Sequence, residues 1–284
     1  MSSKLKFLLA TDSQLGMADN FISRIDRREF AYKWIKNSDN ENNIGLDKEL
    51  ENLRKMVSIA NNLKPDFFII TGDMIDDIQD DNIIKKFCLE LNKLNNEIDL
   101  FLVPGNHDVG ENPLVPSSSA IKKYKTLFGN DYYSFEKKGV LFIVINSSLY
   151  MNPSVLESRF LQQNEFLKDL LKSYDSNIPI IFFTHHPPYL GEVINIDFDS
   201  GSQKESEGYW EFPKITREIL FEIIKEKNVL AFLTGHLHQN KNVKFNNVDI
   251  IVTSSLGLPL GTDPSGYRSV EISEQILNHS FHTL

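Results

Sequence analysis

Cysteine is almost missing from this chain: among 284 residues there is one, Cys88. An intramolecular disulfide is excluded, and a reducing compartment is expected. Tryptophan is scarce, with two residues, and the apolar runs stop at about six residues. A membrane-spanning helix needs roughly 20, so no membrane association is expected. Basic residues are outnumbered: 30 Lys and Arg against 39 Asp and Glu leave a net charge of −9. That balance repels a nucleic-acid backbone, so no nucleic-acid partner is expected. Anions could still bind if a cation reversed the local field. Near the amino terminus only Phe7 to Ala10 is apolar before Thr11 and Asp12, too short for a secretory leader. A cytoplasmic protein is expected.

What is present suits a sizeable core. The hydrophobic share is 41% and the charged share 24%, ordinary for a globular chain. At this length roughly three quarters of the unfolded surface is buried. Leu5 to Ala10, Asp66 to Thr71 and Ile98 to Val103 read as buried strands. Between them, Leu46, Leu50, Leu53, Val57 and Ala60 recur at helical steps, as do positions in Ile83 to Leu94. This order implies a parallel sheet with helices packed on it. Further on, Tyr132 to Phe135 and Val140 to Ile145 flank a Lys-Lys-Gly turn and read as a hairpin. Helices near Phe160 to Lys172 and Lys214 to Lys227 alternate with strands Ile178 to Thr184 and Val229 to Leu233. Four closing strands, from Asn242 to Phe281, read as an antiparallel end. Asn37 to Asn43 and Gly191 to Gly208 read as long polar loops, a length often functional in compact domains. The expectation is one domain over residues 1–284, of α/β class, with two facing mixed sheets and outer helices.

Chemistry-bearing side chains gather where the buried strands end. The segments are Thr11-Asp12-Ser13-Gln14, Gly72-Asp73-Met74-Ile75-Asp76, Gly105-Asn106-His107-Asp108, His185-His186-Pro187-Pro188 and Gly235-His236-Leu237-His238. Ligands of open α/β sheets bind outside the carboxyl ends of strands. Five of the seven histidines lie in these segments. Carboxylates, imidazoles and an amide form a mixed oxygen and nitrogen set suited to Mn, Fe, Zn or Mg. About seven such groups fit two cations better than one, with an Asp placed to bridge. Taken singly, Asp12 could cap a helix, Asp73 or Asn106 could close a turn, and His279 and His282 read as ordinary strand residues. The joint pattern at one sheet edge favours a metal centre.

These motifs, in this order and spacing, resemble the calcineurin-like metallophosphoesterases over nearly the whole chain. The resemblance implies a four-layer α/β/β/α sandwich and two divalent metal ions. It implies Asp12 as ligand of the first metal, Asp73 as bridge, Asn106, His185 and His236 at the second, and His238 back at the first. His185 is preferred over His186 as ligand because it directly follows the strand. His107 would act beside the substrate phosphate, with Asp76 hydrogen-bonded to it and keeping it charged. Gln14 departs from the family, which mostly has histidine there; its carbonyl oxygen is a weaker ligand. Asp76 stands where purple acid phosphatases carry a tyrosine, so no tyrosinate–iron charge transfer is expected. Asp12-Ser13-Gln14-Leu15-Gly16, Asn152-Pro153-Ser154 and Leu260 to Arg268 resemble a Ser/Thr protein-phosphatase subgroup. The implied activity is hydrolysis of phosphomonoesters, phosphoserine and phosphothreonine in proteins among them, by a metal-activated hydroxide without a covalent phosphoenzyme. The alternatives are a phosphodiesterase for small nucleotides or lipid headgroups, or a binding protein with weakened catalysis. His186, Tyr209, Asp263 and Arg268 are the candidate substrate contacts, Arg268 as a grip on phosphate.

Overall fold

The computed structural model describes residues 4–23, 44–110, 115–191, 208–260 and 263–284. The expected loop Asn37 to Asn43 lies outside them, as do residues 192–207 of the second long loop and Gly261 and Thr262 of the Leu260 to Arg268 segment. The strands are β1 (Leu5–Ala10), β2 (Phe67–Thr71), β3 (Asp99–Val103), β4 (Tyr133–Lys137), β5 (Val140–Val144), β6 (Ile180–Phe183), β7 (Val229–Thr234), β8 (Lys241–Phe245), β9 (Val248–Val252), β10 (Gly266–Ser273) and β11 (Ile276–Thr283). The described helices are α1 (Met17–Ser23), α2 (Leu46–Leu63), α3 (Asp81–Leu91), α4 (Asn106–Val109), α5 (Ser118–Phe128), α6 (Ser148–Met151), α7 (Glu157–Lys172) and α8 (Lys214–Ile224).

Two mixed sheets form. One runs β11-β10-β1-β2-β3 and the other β4-β5-β6-β7-β9-β8. Strands β1, β2 and β3 are parallel, as are β5, β6, β7 and β9. Antiparallel hairpin partners occupy the margins. The β4–β5 turn uses Lys138 and Gly139, both with positive φ, which suits a tight two-residue hairpin.

Side-chain alternation builds the layers. Phe7, Leu9, Phe67 and Ile69 of the first sheet join Phe142, Val144, Ile181, Phe183 and Leu233 of the second in one buried cluster. Aromatic contacts bridge the sheets: Phe67 lies 5.1 Å from Phe142 and Phe7 lies 5.8 Å from Phe183, both edge to face. Such pairs add roughly 0.5–1.5 kcal/mol beyond burial. The alternate residues, including Leu8, Phe68, Ile70, Ile143 and Phe232, pack with Leu53, Met56 and Phe87 of α2 and α3 and with Leu167, Leu220 and Phe221 of α7 and α8. The architecture is two mixed sheets flanked by helices.

One topological expectation needs correction. The closing strands do not form a single antiparallel end. The β8–β9 hairpin belongs to the second sheet, where β9 runs parallel to β7, and the β10–β11 hairpin belongs to the first. Each hairpin is local, but the choice of sheet is a long-range matter of which uncovered edge it completes.

Candidate metal centre

The carboxyl ends of the two parallel strand sets meet. Asp12 follows β1, and its Oδ1 lies 3.2 Å from Nε2 of His238, which follows β7. Asp73 follows β2, and its Oδ2 lies 3.1 Å from Nε2 of His185, which follows β6. Asn106, after β3, places its Oδ1 3.1 Å from the same nitrogen. The ligand atoms of Asp12, Asp73 and His185 fall within 4.8 Å of one another, and so do those of His185, His186 and His236. Residues from five strand ends thus converge on one buried point.

Two tight approaches make this possible. A Cβ on Gly105 would sit 2.1 Å from Asp73 Oδ1 and 2.2 Å from its backbone nitrogen. A Cβ on Gly235 would sit 2.5 Å from Asp12 Oδ2. The backbone also carries strain: Asp12, Gln14, Asp73, His236 and His238 all have positive φ, between 34° and 71°. Each such residue costs roughly 1–2 kcal/mol, and concentrations of this kind mark functional sites. Asp108 anchors the Gly105 turn by accepting from the N–H of Gly105 at 2.8 Å and of Met74 at 3.1 Å. Burial and the neighbouring Asp73 charge push its carboxyl up to about 7.

The hydrogen bonds fix which nitrogens face inward. His185 Nδ1 donates to the Thr71 carbonyl at 2.9 Å and His238 Nδ1 to the Leu258 carbonyl at 2.5 Å. A carbonyl can only accept, so each Nδ1 carries the proton and each Nε2 presents a lone pair. Those lone pairs face carboxylate and amide oxygens, an arrangement that is repulsive without a positive charge between them. Protons can supply it: burial pushes His185 down, but Asp73 and Asp12 outweigh burial and raise it to about 9. Burial likewise pushes Asp12 and Asp73 up, and the adjacent imidazoles outweigh it and hold both below their ordinary range. A divalent cation supplies the same charge at neutral pH. His236 donates through Nε2 to the Tyr209 carbonyl at 2.9 Å, leaving Nδ1 as its lone pair. Burial first, and His185 second, press it down to about 3, so its imidazole is uncharged at neutral pH.

Orphaned atoms complete the test of fit. Asp12 Oδ1, Gln14 Oε1 and His186 Nε2 are buried without a hydrogen-bond partner. Buried polar atoms are normally paired. Oxygen and imidazole nitrogen are the donors a divalent cation requires. The residues present therefore fit a dinuclear centre.

His107 stands apart from this set. Its backbone N–H donates to Asp73 Oδ1 at 2.9 Å, and its Nδ1 donates to the backbone carbonyl of Asp76 at 2.6 Å. The side chain is 25% exposed. Burial opposes its charge, but Asp73 and Asp76 outweigh burial and raise its pKa. The expected Asp76 contact is made mainly by the main chain; the carboxylate is 3.5 Å away, because its oxygens accept from Gln14 Nε2 and Asn20 Nδ2.

The other candidates separate. His186 joins the cluster, 4.4 Å ring to ring from His236. Tyr209 lies 5.9 Å from His236 at the rim and is 42% exposed. Trp210 packs against Met17, Leu190, Leu237, Val252 and Leu260 and also lies 5.4 Å ring to ring from His236. Arg268 must be corrected: it is buried in β10, and its guanidinium donates to Thr253 Oγ1, Asn240 Oδ1 and the Val252 carbonyl and meets His279 Nδ1. Those contacts tie β10 to β9 and β11 and leave no grip for phosphate. Asp263 likewise accepts from the Asn240 N–H at 2.5 Å and closes that loop. Sequence reasoning missed Ser147, whose Oγ accepts from the His186 N–H and bonds its Nδ1. Asn146-Ser147-Ser148 directly follows the apolar run of β5, the same signal that located the other segments.

Residues 5–240 match the family of calcineurin-like phosphoesterases. The chain belongs to that family and is a metal-dependent phosphoesterase, a hydrolase of phosphate esters. Among curated relatives, the serine/threonine-protein phosphatase CPPED1 of Homo sapiens is 29% identical over 246 residues, covering 84% of this chain and 74% of that protein. A probable glycerophosphodiester phosphodiesterase, GpdQ of Arcobacter nitrofigilis, is 27% identical over 221 residues, 75% of this chain and 71% of the other. A dimetal phosphatase structure from Danio rerio superposes with a TM-score of 0.63 at 14% identity, covering 98% of this chain and 95% of that one. This last likeness concerns the fold.

Proposed function

We propose that the chain is a two-cation phosphomonoesterase whose substrates are phosphoserine and phosphothreonine in proteins. The single observation that carries the cation reading is the paired inward lone pairs: His185 Nε2 against Asp73 and Asn106, and His238 Nε2 against Asp12. Asp12, Gln14, Asp73 and His238 would hold one cation, and Asp73, Asn106, His185 and His236 the other. Bound there, the cations supply Lewis-acid polarisation of the phosphoryl group and a nucleophilic water at neutral pH. The phosphoprotein reading is supported by the name of the CPPED1 relatives.

The chain's own residues do the rest. His107 has Nδ1 committed to the Asp76 carbonyl, so its Nε2 is the atom free to meet substrate. Against burial, Asp73 and Asp76 raise its pKa, which favours the charged form, the form able to donate to a phosphoryl oxygen or to the leaving alkoxide. The bond from its N–H to Asp73 fixes its distance from the ligand cluster. His186 offers a second buried nitrogen beside the same space. Burial, with His236 and His185 as neighbours, keeps it uncharged. Cytoplasmic residence is part of this reading, supported by one cysteine in 284 residues.

The test is relative kcat/KM on matched aryl phosphate monoesters and diesters, then on phosphoserine, phosphothreonine and phosphotyrosine peptides, with Mn, Mg, Zn or Fe supplied in turn. Monoester preference with cleavage of phosphoserine peptides is expected. A clear diester preference would sink the protein-phosphatase reading and favour the diesterase relatives.

A further inference from the structure

Gln14 is an ambiguous ligand, because an amide can present either oxygen or nitrogen to a cation. Only the oxygen can bind. Its Nε2 donates to Asp76 Oδ1 at 3.2 Å, and a carboxylate can only accept, so the amino group must face Asp76 and Oε1 must face away from it. That Oε1 is the buried atom without a partner. Asp76 is in turn held by Asn20, whose Nδ2 donates to Asp76 Oδ2 at 2.5 Å. Asn20 lies on α1, and α1 is fixed from outside the centre. The buried Glu49 of α2 accepts from the N–H of Gly16 at 2.6 Å and of Ala18 at 3.0 Å, gripping the start of α1. Asn52, one turn further along α2, donates to the Leu256 carbonyl at 2.9 Å. The neighbouring N–H groups of Leu256 and Gly257 donate to the carbonyls of Thr11 and Asp12.

We infer that Asn20 is a positioning residue for the first cation position: set by Glu49 through α1, it holds the Asp76 carboxylate, which fixes the Gln14 amide with its carbonyl oxygen inward. The inference rests on Gln14 as a ligand of a two-cation centre. It also explains how a chain without the usual histidine keeps a usable first position. An imidazole carries an unambiguous lone pair; an amide needs an acceptor behind it.

The test is calorimetric titration of the metal-stripped full chain with Mn2+. The unaltered chain is expected to bind two equivalents, with Gln14→Ala weakening one. Asn20→Ala is expected to weaken the same equivalent about 10–100-fold, the usual effect of losing an orienting partner behind a ligand, and to leave the other unchanged. Asn20→Asp, which sets a carboxylate against Asp76, serves if the alanine variant folds poorly, and should be at least as damaging. In a Gln14→His background Asn20→Ala should change affinity less than about threefold, since imidazole needs no amide orientation. A role for Asn20 in folding alone would not be relieved by that change. Two tight equivalents that persist in both Asn20 variants would overturn the inference and leave the two-cation reading standing. A single equivalent in the unaltered chain, insensitive to Gln14→Ala, would overturn both.

Discussion

Replacing Gly105 by alanine adds one methyl group directly against Asp73. The backbone there is extended, with φ −97° and ψ 179°, so alanine meets no conformational penalty. The cost is steric. The new carbon would stand 2.1 Å from Asp73 Oδ1 and 2.2 Å from Asp73 N. Ordinary contact needs at least about 3.4 Å, so the Gly105 turn and Asp73 must separate by roughly 1 Å. One of the clashing atoms is main chain, so a rotamer change cannot relieve it. Overpacking of this kind costs roughly 1–3 kcal/mol. The displacement matters more, because Asp73 is the proposed bridge and misplacement by about 1 Å can lower turnover about 100-fold. Gly129→Ala is the control: φ is +95° and nothing lies within 4 Å of the added carbon, so it should cost some stability through backbone strain and leave the centre intact. Thermal unfolding, Mn2+ titration and turnover of an aryl phosphate are to be measured on both variants. Gly105→Ala should lose cation affinity and about 100-fold in kcat while Gly129→Ala keeps both. Unchanged cation affinity and turnover in Gly105→Ala would refute the proposed crowding of Asp73.

Three further outcomes follow from the geometry. His107→Ala should keep both cation equivalents and lose about 10²–10⁴-fold in kcat; loss of a cation would make His107 a ligand. Arg268→Ala should lower the melting temperature and leave KM for a monoester unchanged, because its guanidinium meets Thr253, Asn240 and His279; a large rise in KM on a fully folded variant would restore it as a substrate contact. Burial lifts Glu49 from 4.5 to about 7, so the folded chain binds that proton more tightly than the unfolded one. Its contribution is fully present below pH 4.5 and lost as pH rises through about 7, on the order of 3 kcal/mol in all. Glu49→Gln should flatten that part of the unfolding free energy against pH, and parallel curves for the two proteins would contradict the shift.

The centre was legible because its side chains directly follow apolar runs. Asp12, Asp73, Asn106, His185 and His236 each stand within a few residues of a strand end, so local pattern and topology coincide. The parallel sheets were legible for the same reason. Arg268 was not: a cation near the end of the chain reads alike whether it meets phosphate or three neutral side chains across strands. Glu49, Asn52 and Asn20 sit among helix polar positions, and a helical pattern reads such residues as solvated. Their partners lie 31 to 204 residues away, so spacing carries no trace of them. Helix α5 also escaped notice. Its paired lysines dilute the apolar face formed by Ala120, Ile121 and Tyr124, although Ser117 caps it by accepting from the Ala120 N–H at 3.1 Å.

In the proposed enzyme one buried cluster holds two catalytic cations. This is tested most directly by elemental analysis of the full chain after loading with Mn2+ and removal of free metal, alongside aryl phosphate turnover before and after chelation. Two equivalents per chain are expected, with turnover lost on stripping and regained as the second equivalent is restored. One equivalent or fewer, or turnover unaffected by complete stripping, would contradict it.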